Sequence, residues 1–200
     1  KIWAGGGADG GGVMPSALPI DDRLERVAQL VVRTRIFYDI WLYFEGEETR
    51  PAILDTMNCF SEFFRFDPHA HFVAFIVHVA ALFEKRNDTI NLPWLAKEIK
   101  ETNLISKSTQ AKVDALLSQA APLASKTKIL RSNLFAHRSA SLSYAEVFKK
   151  AEVTSNQLRK LTEIGLKIAN HLLRSRGHND HDFNTLPRAH VDKMLKTLAR

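Results

Sequence analysis

ALPIDDRLERVAQLVVRTRIFYDIWLYF, residues 17–44, decides the fold class. Its apolar residues recur at helical spacing, so Val27, Leu30, Val31, Phe37, Ile40, Trp41 and Phe44 share one broad face. Asp21 and Asp22 stand at the start, where a helix dipole favours negative charge. Eight turns of one amphipathic helix need other helices to cover them.

The rest of the chain supplies those helices. A polar break, EGEETRP, leads to PAILDTMNCFSEFF, where Pro51 suits a first helical turn. Pro68 opens a third, very apolar helix that runs to about Phe83. Asn91 is placed to cap LPWLAKEIKE. SKSTQAKVDALLSQ is polar and amphipathic, and Pro122 marks a kink or a new start before PLASKTKILRSNLFAHR. SASLSYAEVFKKAEV is a loop-rich connection, long enough for function or partial helicity. TSNQLRKLTEIGLKIANHLLRSR begins with a Thr154-to-Gln157 capping box and offers Leu158, Leu161, Ile164, Leu166, Ile168 and Leu172 to a core. Gly177 stops it, and LPRAHVDKMLKTLA forms a last helix. No segment alternates as a strand does. The expected fold is therefore an all-α, antiparallel helical bundle. Its parts are a flexible glycine-rich leader or appended remnant over residues 1–19, a helical domain over 20–176, and a loop and C-terminal helix over 177–200 that packs on the bundle.

Composition narrows the function classes. A chain of 200 residues buries a core without disulfides or metals. The one cysteine, Cys59, excludes an intramolecular disulfide and suits a reducing compartment or simple indifference to redox; a cytoplasmic location is expected. The most apolar run, HFVAFIVHVAALF at residues 71–83, is too short to span a bilayer and is read as a core helix, so no membrane partner is expected. Charge is uneven. Residues 1–125 carry 13 Lys and Arg against 16 Asp and Glu, whereas residues 126–200 carry 15 against 6. A basic last third is a reasonable footprint for a polyanion such as RNA.

Two polar clusters compete for the site. In RSNLFAHR, residues 131–138, Arg131 and His137 lie about 120° apart around a regular helix and roughly 9 Å apart along it. They share no face, so cooperation between them needs a helix distortion, a helix end or a second subunit. The chemistry is that of metal-independent RNA cleavage. Histidine moves the proton of a 2′-hydroxyl or of the leaving oxygen. Arginine holds the scissile phosphate and its developing charge. The second cluster, GHNDHD at residues 177–182, has His178, Asp180, His181 and Asp182 as conceivable ligands, but its spacing fits no structural zinc pattern. No metal or cofactor is expected there, nor at His69 and His71. The aromatic residues Phe37, Tyr38, Trp41, Tyr43, Phe44, Phe60, Phe63, Phe64 and Phe66 read as core or dimer packing rather than base-stacking platforms.

The phrase KILRSNLFAHR resembles the R-(polar)-x4-H signature of the HEPN superfamily, and the helical layout is most similar to its AbiU-like abortive-infection branch. The resemblance covers about residues 20–176. It implies an all-α, HEPN-like fold and, in active members, a metal-independent endoribonuclease of phage-defence or toxin–antitoxin systems, dimeric with two motif helices facing one cleft. It implies Arg131 as the phosphate-binding arginine and His137 as the catalytic histidine, with Ser132, Asn133 and Arg138 assisting substrate binding. It also implies RNA, a second copy and a cognate antitoxin protein as partners. Ser132 departs from the Asn, Asp or His more usual in the polar slot, with Asn133 one place later. Some members have lost catalysis and serve as RNA-binding or antitoxin-like interaction modules.

Overall fold

Asp21 and Asp22 do open a long helix. In the computed structural model, which describes residues 18–136 and 144–199 and gives the backbone alone for residues 134–136, 144, 145 and 148, α1 runs from Ile20–Glu45. Its buried stripe is Leu24, Val27, Ala28, Val31 and Tyr38, continuing through Ile40, Tyr43 and Phe44. Phe37 and Trp41, expected on the same face, are only partly buried. Both rings pack along the flank, against α4, where Trp41 meets Phe72 at 4.7 Å and Phe37 stacks on His78 at 5.3 Å. Tyr38 takes the central place instead, 5.3 Å from Phe75.

The helix expected over residues 51–64 is two: α2, Arg50–Cys59, and α3, Ser61–Phe64. Phe60, with φ −117° and ψ 42°, breaks the register between them. That break turns Phe60 and Phe63 outward, and with Phe66 they are 44%, 57% and 63% exposed, so the core reading fails for these three rings. The apolar helix α4, Asp67–Leu82, follows. His71 and His78 lie within it, each with Nδ1 against the carbonyl one turn back, at 2.9 and 2.7 Å.

Asn91 caps α5, Leu92–Glu101, by accepting the Trp94 N–H at 2.9 Å. Fully buried, it also donates to the Arg86 carbonyl at 2.7 Å and the Thr89 carbonyl at 3.2 Å. One side chain thus ends the loop after α4 and starts the next helix. Pro122 does not start a new helix: α6, Lys107–Leu130, runs through it uninterrupted. Proline removes one intrahelical bond, that to Ser118 four residues back. Packing of α6 on α8 and α4 outweighs the loss. The connection read as loop-rich contains α7, Tyr144–Ala151, which buries Val147 and Ala151.

The capping box at Thr154 and Gln157 is formed, and α8, Ser155–Ser175, buries all six leucine and isoleucine positions expected of it. Gly177, at φ +80°, ends it in a left-handed turn. The His178 and Gly177 N–H groups donate to the Leu173 and Arg174 carbonyls at 3.0 and 3.1 Å. That is a Schellman termination. The last helix, α9, Leu186–Leu198, docks on α1 and α2 through Leu195. The Tyr43 hydroxyl fixes it further by donating to Asp192 at 2.8 Å. Burial, with Asp192 beside it, pushes the Tyr43 hydroxyl up to about 12.

The core is helix on helix. α1, α4 and α8 form its centre, and α5, α6 and α7 close it. No strand occurs among the described residues. No described helix is long and apolar enough to cross a membrane.

Candidate functional site

Where α6 ends, the helix changes register. Arg131–Ala136 form a π-helical turn directly after Leu130. Such turns widen the coil by one residue and concentrate at functional sites. The local cause is visible in the sequence. Ser132 and Asn133 are polar residues that compete for backbone hydrogen bonds in helix interiors. Asn133 does so here, donating from Nδ2 to the Ile129 carbonyl at 2.8 Å. A distortion, one of the three ways left open for Arg131 and His137 to cooperate, is present over Arg131–Ala136. His137 and Arg138 lie outside the described residues, as does the end of the motif helix.

Arg131 is described, and its side chain does not float in solvent. It enters a cleft of about 390 Å³ between α6 and the C-terminal end of α4. Buried Ala80 and Phe83 and part-buried Ala124 give it an apolar base, and exposed Ala121, Lys85, Arg86, Ser125 and Lys128 line it together with part-buried Glu84 and Arg131. Arg131 is ion-paired to Glu84, with 33% and 24% of the two side chains exposed. A carboxylate just past a helix C-terminus faces the negative end of the dipole. Glu84 is therefore held by the guanidinium rather than by its own helix.

The other cations differ from Arg131. Arg86 forms a two-point pair with Asp88, at 2.9 and 2.6 Å, which raises the arginine and lowers the aspartate. Lys85 and Lys128 are exposed and make no ion pair among the described residues. Lys128 sits three residues before Arg131, on the same side of the helix. The buried amide of Asn91 supports the rim by gripping the Arg86 carbonyl.

Of the motif residues, Arg131 enters the cleft, whereas Ser132 and Asn133 share its π turn without lining the cleft. Glu84, Lys85 and Lys128 escaped sequence reading. The signal was there: EKR follows directly on the most apolar helix, and Lys128 precedes Arg131 by three. What lacked was the knowledge that the two segments meet.

The basic last third supplies exposed cations on two helices. Lys160, Lys167 and Arg174 lie seven apart on the exposed side of α8, and Lys149 and Lys150 project from α7. The second polar cluster is a clasp. His181 pairs with Glu25 at 2.9 Å, His178 with Asp21 at 3.5 Å, and Asp180 with Arg174 at 3.1 Å. Asn170 brackets the His181 backbone at 2.9 and 3.0 Å. Arg176 reaches Asp21 at 2.9 and 3.1 Å and, as the main cause, pulls its carboxyl below the ordinary value, while the His181 bond does the same for Glu25. These side chains face different partners instead of one point, and among the described residues no three potential ligands converge.

A buried arginine also escaped the sequence reading. Arg35 donates to Asp39 at 2.8 Å and to Thr162 at 3.3 Å, and lies 4.6 Å from the Phe183 ring centre. It ties α1, α8 and the loop before α9 together. Its place in a run of apolar residues, VVRTRIF, was the only hint.

The family model HEPN_AbiU2, described as AbiU2, matches residues 18–194. No curated protein and no solved structure matches the chain.

Proposed function

This chain belongs to the AbiU2 family of HEPN domains, and from that premise we propose that it is a metal-independent endoribonuclease of a phage-defence or toxin–antitoxin type system. The observation that carries the reading is the placement of Arg131. It stands on a π turn and lines a cleft shared with two exposed lysines, Lys85 and Lys128. A guanidinium so placed receives a phosphodiester in two-point fashion.

The chemistry follows from the two motif residues. His137 takes the proton of a ribose 2′-hydroxyl. The 2′ oxygen attacks phosphorus, the bond to the 5′ oxygen breaks, and that oxygen receives a proton from the same kind of group. A 2′,3′-cyclic phosphate and a 5′-hydroxyl result. Arg131 stabilises the charge that builds on the phosphoryl oxygens. Ser132, Asn133 and Arg138 assist binding. Asn133 contributes indirectly, by holding the π turn through Ile129. RNA tracks along the exposed lysines of α6, α7 and α8. Two copies of the chain bring their motif helices to one cleft, a cognate antitoxin protein restrains them, and the pair works in the cytoplasm.

The test is cleavage of mixed RNA in EDTA by wild type and by His137→Ala. Cleavage by the wild type alone supports the proposal, and equal rates for the two proteins remove it. Affinity for RNA should also fall steeply from low to physiological salt.

A second reading has its own observations. Ser132 occupies the polar slot, and Glu84 already holds Arg131. Both suit a non-catalytic RNA-binding or antitoxin-like module. Overexpression that leaves growth untouched, for wild type and His137→Ala alike, selects that reading.

A further inference from the structure

The cleft beside Arg131 has more positive charge than one arginine needs. Of its four cations, Arg86 is matched by Asp88 and Arg131 by Glu84. Lys85 and Lys128 are left over among the described residues, and both are exposed at the rim. The floor is apolar, set by Ala80, Phe83 and Ala124. Its volume of about 390 Å³ falls in the range of small-ligand pockets. An apolar floor under two spare cations fits a group with a flat apolar part and an anionic edge, which is the make-up of a nucleotide.

Glu84 gives the cleft a second property. Its carboxylate and an incoming phosphate compete for the same guanidinium. Two anions at one partly desolvated cation repel each other, so each weakens the hold of the other. Lys85 is the next residue and Lys128 faces the same cleft, so a displaced Glu84 has other cations to meet.

We propose that this cleft seats the nucleotide adjoining the scissile phosphate of single-stranded RNA, and that Glu84 is a counter-ion gate that neutralises Arg131 until that phosphate displaces it. The proposal rests on the phosphate-binding role of Arg131 set out above, and it adds Glu84, Lys85 and Lys128 as residues that set affinity. Glu84 is a positioning residue, since it acts through Arg131. Removing its charge leaves Arg131 free in the unliganded protein. RNA then no longer has to break an ion pair on binding.

The experiment uses the full chain and a fluorescent 2′-O-methyl RNA heptamer, which binds but lacks the 2′-hydroxyl needed for cleavage. Anisotropy titrations across a salt series compare wild type, Glu84→Gln and the double variant Lys85→Ser/Lys128→Ser. Glu84→Gln is expected to bind about threefold to tenfold more tightly. The double variant is expected to bind at least about tenfold more weakly. The slope of log affinity against log salt should shrink by about 1.4, the counterion release of two single-strand phosphate contacts. Both lysines are exposed, so that variant folds regardless of what Glu84→Gln does. Unchanged or weaker binding by folded Glu84→Gln overturns the gate. An unchanged salt slope in the double variant overturns the subsite, and so does the absence of any binding by wild type.

Cleavage of ordinary RNA, measured in parallel, separates this proposal from the catalytic one. Cleavage that depends on His137 while neither set of variants alters binding leaves the ribonuclease standing and removes the subsite. Binding that follows the expected pattern without cleavage does the reverse.

Discussion

Arg131 and Glu84, 47 residues apart in the chain, are ion-paired across the cleft between α6 and the end of α4. The pair joins the motif helix to the apolar helix that carries the core. Lys85 and Lys128 line the same cleft and make no ion pair among the described residues.

The geometry of the fork makes Arg131→Lys a sharp test. Lysine keeps the charge and loses the planar two-point donor. RNA cleavage should fall by about a hundredfold or more, in the range seen for loss of one transition-state donor. Affinity for uncleavable RNA should change far less. A lysine variant that cleaves at the wild-type rate would show that Arg131 serves only as a point charge.

Asn133→Ala probes the π turn. The substitution removes the donor to the Ile129 carbonyl and restores a good helix former. The stability change should be small, within about 1 kcal/mol, because one hydrogen bond is exchanged for better propensity. Cleavage should nonetheless drop, since the turn that orients the motif is relaxed toward α register. Thermal melting and RNA cleavage of the same preparation separate the two effects; full activity in the alanine variant argues that the π turn is incidental.

Arg35→Met addresses the buried cation. Methionine fills the space but strands Asp39 and leaves Thr162 without its donor. Removing one member of a buried pair costs about 3 kcal/mol or more. Denaturant unfolding should report a loss of that order with the slope m unchanged. A loss under about 1 kcal/mol would mean that the pair is effectively solvated.

Acid should loosen the clasp over residues 177–182. Asp21 and Glu25 have folded-state values below their ordinary 3.8 and 4.5, held there mainly by Arg176 and His181. As pH falls, the unfolded chain takes up these protons first. The stabilisation is complete above about pH 4.5 and is lost as pH drops through the folded values. Melting temperature should therefore decline from pH 6 to pH 3. Asp21→Asn/Glu25→Gln should flatten that decline; an identical profile in the double variant would assign the acid sensitivity elsewhere.

Helical periodicity made most of the fold legible in advance. Local chemistry marked element ends well: Asn91, the Thr154–Gln157 box and Gly177 act within a few residues of themselves, so nothing distant overrules them. It left a new start open at Pro122, where α6 runs on and packs against α8, and it misled at Phe60, where a local break turned apolar rings to the surface. Arg131 was legible as a candidate from its chemistry and motif, and so was its misalignment with His137 on a straight helix, which left a distortion, a helix end or a second subunit open. Glu84 was not.

The sequence by itself therefore determined an all-α chain, the helix ends at Asn91, Thr154 and Gly177, and a residue pair, Arg131 and His137, that a straight helix cannot align. Only the tertiary structure decided that α4 ends beside α6, that Glu84 meets Arg131, that Lys85 and Lys128 flank it, and that the histidines of residues 177–182 face carboxylates of α1. The physical reason is range. Propensity, capping and periodicity act over a few residues of chain, whereas the charge environment of a side chain is set by whichever residues burial of the apolar faces brings within a few ångströms of it.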